Sequence, residues 1–67
     1  MLNNYALIYG IKNGDDFSDF FRDLPLCYWK AGHILKHLTP REKETMYLRI
    51  SLVDDDFNEI EIIKEFL

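Results

Sequence analysis

The 67-residue sequence predicts an α+β domain in which a three-stranded antiparallel or mixed sheet carries two helices on one face. One supporting observation is an apolar stripe at helical spacing in residues 26–38, and another is the alternation of side-chain character in residues 47–53. The expected element order is β-α-α-β-β within a single domain spanning residues 1–67. The alternative is a small all-α bundle in which residues 40–53 and 57–67 are helices.

The segment 26–38 is predicted to be the helix around which the domain is organised. Its apolar residues at helical spacing are Cys27, Ala31, Ile34, Leu35 and Leu38. Its opposite face carries basic and aromatic side chains, namely Trp29, Lys30, His33, Lys36 and His37. We therefore expect the helix to bury the stripe and to leave Trp29 at least partly exposed.

The N-terminal third is predicted to contain a strand followed by a helix. Residues 4–12 alternate in the manner of a central strand, and Asn13-Gly14 is a strong turn signal. Residues 15–24 then predict a short amphipathic helix, because four apolar residues follow at positions i, i+3, i+4 and i+7. These expected core residues are Phe17, Phe20, Phe21 and Leu24.

The second half is predicted to form a helical turn and two strands. Thr39-Pro40-Arg41-Glu42 is a capping box, which places one helical turn at residues 40–44. Residues 47–53 are the clearest strand, and residues 59–66 are interpreted as its hairpin partner rather than as a helix. As a strand, this last segment would direct Ile60, Ile62 and Phe66 inward.

The charge of the chain is unevenly distributed along its length. The net charge is −4, yet residues 24–53 carry five basic and two acidic residues, whereas residues 54–67 carry one basic and six acidic residues. Nucleic-acid-binding proteins usually present a basic surface, because phosphate contacts supply much of their affinity. The overall balance therefore favours a protein partner with a basic surface over direct binding of nucleic acid.

The acidic C-terminal segment is the main candidate site. Its carboxylates could imitate a row of phosphates and dock on the basic channel of a nucleic-acid-handling protein, with electrostatically steered association. Small acidic domains of this kind are typical of phage-encoded anti-CRISPR and anti-restriction proteins, so the predicted function is an inhibitor or regulator. The predicted partner-binding residues are Asp54, Asp55, Asp56, Glu59, Glu61, Glu65 and Trp29.

Two alternative functions remain open. The first is a structural or regulatory subunit with an ordinary acidic surface. The second is a nucleic-acid-binding module that uses the basic residues Lys30, Lys36 and Arg49 together with Trp29. A homodimer is also a candidate state, because a core of this size supplies only ~3–5 kcal/mol of stability.

No enzymatic activity, cofactor or metal is expected from the sequence. Part of a calcium-loop spacing occurs in residues 54–65, but Glu59 occupies the position at which that loop needs glycine. The single cysteine, Cys27, cannot form an internal disulfide, which suggests a reducing compartment. With no basic signal-peptide start and no apolar run near ~20 residues, we expect a cytoplasmic protein without a membrane span.

Overall fold

The computed structural model describes residues 4–67, which form four strands and two helices in the order β-β-α-α-β-β. The elements are β1 (Asn4–Ile11), β2 (Asp16–Phe21), α1 (Leu24–His37), α2 (Pro40–Thr45), β3 (Met46–Val53) and β4 (Glu59–Glu65). The strands make one antiparallel sheet in the order β2-β1-β3-β4. The predicted α+β class is confirmed, whereas the three-stranded sheet and the all-α alternative are wrong.

Strand β2 occupies the segment that was predicted to be the first helix. The turn before it is closed by the Gly14 N–H, which donates to the Ile11 carbonyl oxygen at 3.0 Å, and β2 then pairs with β1 as a hairpin. The spacing of the phenylalanines also fits a strand, with Phe17 and Phe21 on one face and Phe20 on the other. Pairing with β1 decides between the two patterns, because it satisfies backbone groups along the whole segment.

The change from helix to strand also removes two residues from the predicted core. The side chains of Phe17 and Phe20 are 62% and 48% exposed. Phe21 is partly buried and packs against the core, as does Leu24 at the start of α1. The prediction that this aromatic set forms the core is therefore wrong for Phe17 and Phe20.

The main core lies between α1 and one face of the sheet. It contains Leu7, Leu48 and Ile50 from the two central strands, together with Cys27 and Ala31 from α1, all nearly inaccessible to solvent. Ile34 and Leu35 pack against this cluster. The predicted stripe is thus confirmed as the buried side of α1 except for Leu38, which is the extended C-cap residue just after the helix and is only partly buried. Burial of the apolar side chains is the main stabilising contribution to the fold.

The sheet face opposite α1, here called the far face, carries a second and smaller apolar cluster. Ala6, Ile8 and Val53 are buried there, with Tyr47 packed against them. Directly paired residues of antiparallel strands point to the same face. Arg49, which pairs with Ile8, and Ser51, which pairs with Ala6, therefore also lie on the far face.

Strand β4 is confirmed as the hairpin partner of β3, but its isoleucines are not buried. Ile60 and Ile62 are 60% and 49% exposed, so their predicted inward placement is wrong, although Phe66 does pack against the main core. The reason is that β4 is an edge strand, whereas α1 packs against β1, β2 and β3. Irregular pairing with β3 also interrupts the simple alternation of side chains along β4.

Within residues 4–67, neither helix is long and apolar enough to span a membrane.

Candidate protein-binding surface

The acidic loop between β3 and β4 is shaped by Asp54. Its Oδ1 atom accepts hydrogen bonds from the backbone N–H groups of Asp56 and Asn58, each at 2.9 Å. The Asp54 N–H in turn donates to the Asn58 carbonyl oxygen at 3.0 Å. This carboxylate therefore holds the turn together, in the way that Asx side chains commonly do.

Phe57 fixes the position of this loop relative to the sheet. Its φ of 64° lies in the left-handed region, which costs a non-glycine residue roughly 1–2 kcal/mol. Its ring contacts that of Phe20 with a centroid separation of 4.5 Å. Phe20 pairs with Ala6 and therefore lies on the far face. The contact thus connects the β3–β4 loop to β2 on that face. Asp55 and Asp56, which precede Phe57, are exposed to solvent.

Glu59 makes an ion pair on the far face. Its two oxygens accept hydrogen bonds from Arg49 Nη2 at 2.7 Å and Arg49 Nε at 2.9 Å, and the Ser51 hydroxyl donates to one of them at 2.6 Å. The hydrogen bonds from Arg49, followed by that from Ser51, lower the pKa of Glu59 from 4.5 to about 2. Its charge is therefore compensated within the domain.

Glu61 and Glu65 project from opposite faces of the β4 edge. Glu61 pairs with Leu52 and Glu65 pairs with Arg49, so Glu61 lies on the α1 side and Glu65 on the far face. Both are exposed, and neither side chain makes a hydrogen bond or ion pair with any residue of the described part of the chain. Lys64, opposite Ile50, lies on the same side as Glu61.

The six predicted acidic residues thus divide into two groups. Asp54 and Glu59 have bonding roles inside the domain. The other four, here called the outer carboxylates, are Asp55, Asp56, Glu61 and Glu65. Asp55 and Asp56 lie in the β3–β4 loop, and Glu61 and Glu65 lie in the edge strand β4. All seven residues of β4 are exposed. They do not form the single row that the sequence suggested, because β4 distributes its acids between both faces of the sheet.

Trp29 lies on a different element, the outward side of α1. It is 66% exposed, which confirms the predicted exposure. Its indole stacks on His33, with ring centroids 5.5 Å apart and an interplanar angle of 12°, and His33 meets His37 edge to face at 4.7 Å. The three rings form an aromatic ladder at a spacing of four residues along the helix.

The residues proposed for a nucleic-acid-binding module are not brought together. Trp29, Lys30 and Lys36 lie on α1, whereas Arg49 lies on the far face and is bonded to Glu59. The sheet therefore separates Arg49 from the helix. The basic residues therefore do not form the single positive surface that such a module would need.

The fold and this surface define a small α+β domain with an acidic, fully exposed strand edge. No family model matches the chain, and neither the curated proteins nor the solved structures searched contain a significant match to it. Among residues 4–67, no three His, Cys, Asp or Glu side chains are grouped so that they could hold a metal ion.

Proposed function

We propose that this protein is a small binding regulator or inhibitor whose outer carboxylates contact a basic surface on another protein. The observation that carries the proposal is the position of these four acids around an exposed edge strand, with Lys64 as the only basic residue in the segment 54–67. Carboxylates without an internal partner remain available to pair with lysine and arginine side chains of another molecule.

The proposed target is a protein that handles nucleic acid, because such proteins carry clustered positive charge for phosphate binding. Glu61 and Glu65 point to opposite sides of β4. A partner that contacts both must therefore straddle the strand edge, as the two walls of a basic cleft or channel would. Inhibition would follow from occupancy of the channel in place of nucleic acid, in the manner of an anti-CRISPR or anti-restriction protein.

The test begins with recovery of partners from the native cell using the full chain, followed by mass spectrometry. Affinity for a recovered partner is then measured over a range of salt concentrations. Two double variants remove the outer carboxylates in pairs: Asp55→Asn with Asp56→Asn, and Glu61→Gln with Glu65→Gln. We expect each to slow association and to flatten the salt dependence, because rim charges act mainly on the rate of encounter.

A matched control removes the same number of charges elsewhere. Asp23→Asn with Glu44→Gln is suitable, because both side chains are exposed and neither makes a hydrogen bond or ion pair with residues 4–67. Equal weakening by the control would show that total charge matters rather than this surface. Unchanged affinity in both test variants would refute the proposal and favour a subunit that binds through apolar contacts.

The Lys30→Glu, Lys36→Glu variant tests the nucleic-acid alternative. If the proposal holds, this variant changes the affinity for the protein partner only slightly. Direct binding of DNA or RNA by the parent, abolished by this variant and strengthened by loss of the outer carboxylates, would instead establish a nucleic-acid-binding module.

A further inference from the structure

A cavity of about 400 Å³ opens at the end of the sheet near the β1–β2 turn. Its lining includes four apolar side chains, Tyr9, Ile11, Phe17 and Met46, and two acidic ones, Asp15 and Glu42. The volume lies within the usual ~300–1,000 Å³ range of ligand sites. The acidic loop at 54–58 is at the other end of the sheet, beyond the Asn4–Val53 pair, so this is a separate site.

The aromatic wall of the cavity is held in place from several directions. The rings of Tyr9 and Phe17 stack with centroids 5.9 Å apart and an interplanar angle of 29°. The Tyr9 hydroxyl donates to Asp19 at 3.2 Å, which fixes the outer end of that ring. The Lys12 N–H donates to the Thr45 carbonyl oxygen at 2.9 Å, joining the turn to the residue before β3. Tyr9 is therefore positioned by two side-chain contacts, and Phe17 by its stacking on Tyr9.

The acidic side of the cavity is formed by Glu42 and Asp15. The Glu42 carboxylate accepts a hydrogen bond from the Thr39 N–H at 2.9 Å through Oε1, within the capping box of α2. The backbone and side-chain hydrogen bonds with Thr39 lower the pKa of Glu42. The second oxygen of Glu42 and the carboxylate of Asp15 make no hydrogen bond with residues 4–67. Two negative groups thus border an aromatic wall.

We propose that this cavity binds the guanidinium end of an arginine side chain. A planar guanidinium stacks on aromatic faces and forms hydrogen-bonded pairs with carboxylates, whereas its stem packs against apolar atoms. The cavity offers all three kinds of contact. The choice of arginine rests on the proposed function, since a basic partner supplies such side chains. Binding of a free arginine derivative can nevertheless be tested without any partner.

The experiment is a titration of the full chain with N-acetyl-arginine amide, followed through backbone amide chemical shifts. We expect saturable shifts at Gly10, Ile11, Phe17 and Met46, with a dissociation constant on the order of 1 mM for so small a ligand. The matched probe is N-acetyl-citrulline amide, which has nearly the same shape but no charge. It should bind at least about five-fold more weakly, because the ion pairs and the cation–π contact are lost.

Three variants test the individual contacts. Asp15→Asn and Glu42→Gln should each weaken binding about two- to five-fold, and glutamine at position 42 preserves the capping box. Phe17→Leu keeps an apolar side chain but removes the aromatic face, and it should weaken binding similarly. Asp23→Asn removes one exposed charge just beyond the Tyr5–Phe21 pair, at the other end of the sheet, and should have little effect.

Several outcomes would overturn the assignment. Equal binding of the arginine and citrulline probes would show an apolar groove without charge recognition. Saturable shifts confined to residues 54–65, or no saturable shifts, would exclude the cavity as an arginine site. None of these results would refute binding of a partner by the outer carboxylates, so the proposed function is tested separately.

Discussion

Arg49 and Glu59 join β3 to β4 on the far face through two hydrogen bonds of 2.9 and 2.7 Å. The pair is bidentate, a geometry that gives stronger and more specific contacts than a single hydrogen bond. Ser51, fully buried, adds a third hydrogen bond to the same carboxylate. This network supplies side-chain contacts that hold β4, an edge strand whose residues are otherwise exposed, in place against the sheet.

Glu59→Gln should destabilise the domain by about 1 kcal/mol at pH 7, a value limited by solvent screening of a partly exposed pair. The folded-state pKa of Glu59 is depressed to about 2 from 4.5. The stabilisation is therefore complete above about pH 5 and is lost as the pH falls towards 2. Urea denaturation at several pH values should show parent and variant converging at low pH.

The control for this prediction is Glu61→Gln on the same strand, where the carboxylate has no partner among residues 4–67. It should leave the free energy of unfolding nearly unchanged at every pH. If Glu59→Gln behaved like this control, the ion pair would make no net contribution to stability.

Asp54→Ala should destabilise the β3–β4 loop by about 1–2 kcal/mol, because two backbone N–H groups lose their acceptor. Asp54→Asn keeps a carbonyl oxygen at the same position and should cost less. Asp55→Ala, next in the chain, should be neutral. Thermal unfolding of the three variants measures the difference, and equal midpoints would contradict the role given to Asp54.

Cys27 should resist thiol reagents in the folded protein. It is completely buried, and burial, followed by the nearby charge of Asp19, raises the pKa of its thiol to about 11. At pH 8 only roughly one thiol in a thousand would be ionised, and the reagent also lacks access. Labelling should become fast in urea, whereas rapid labelling of the folded protein would show that α1 separates readily from the sheet.

The hydrophobic patterns predict part of this fold well. The Cys27–Ala31–Leu35 stripe and the alternation through Leu48 and Ile50 identify α1, β3 and the core between them. The phenylalanines of β2 mislead, because i, i+3, i+4 spacing over five residues fits a helix as readily as an edge strand. Pairing with β1 makes this segment a strand. Such pairing is a tertiary interaction, so the spacing of residues within the segment does not predict it.

The site is less predictable than the fold. The sequence predicts where carboxylates are concentrated, but not which of them have internal partners. The partners of Glu59 depend on the register of β4 against β3, whereas Asp54 accepts hydrogen bonds within its own turn. The cavity containing Asp15 and Phe17 depends on the same hairpin that local spacing assigned to a helix. Charge counting therefore identifies the acidic segment, whereas the strand pairing and the loop hydrogen bonds determine which acids remain available to a partner.

Leu7→Ala and Phe20→Ala compare the contribution of the main core to stability with that of the Phe20–Phe57 contact on the far face. Leu7 is completely buried, so its truncation should cost ~2–5 kcal/mol and can unfold so small a domain. Phe20 is half exposed and its ring contacts that of Phe57, so its truncation should cost about 1 kcal/mol. Urea midpoints rank the two variants. A larger loss for Phe20→Ala would mean that the far face contributes more to stability than the main core.

Trp29 should behave in fluorescence as an exposed indole. Two-thirds of its surface is accessible, and within residues 4–67 its ring stacks on His33, which is itself exposed. The emission maximum of the folded protein should therefore be red-shifted and change little on unfolding in urea. Iodide should quench it efficiently, helped by the positive charges of Lys30 and Lys36 on the same helix.

Concentration provides the control for this last prediction. A second copy covering the outward side of α1 would protect Trp29, and a blue shift with reduced iodide quenching would then appear as the protein is concentrated. If α1 is uncovered in solution, emission and quenching stay constant across dilution. A protected spectrum that persists on dilution would contradict the exposed position of Trp29 itself. The measurement thus separates an available helix surface from one occupied by self-association, because only the second depends on mass action.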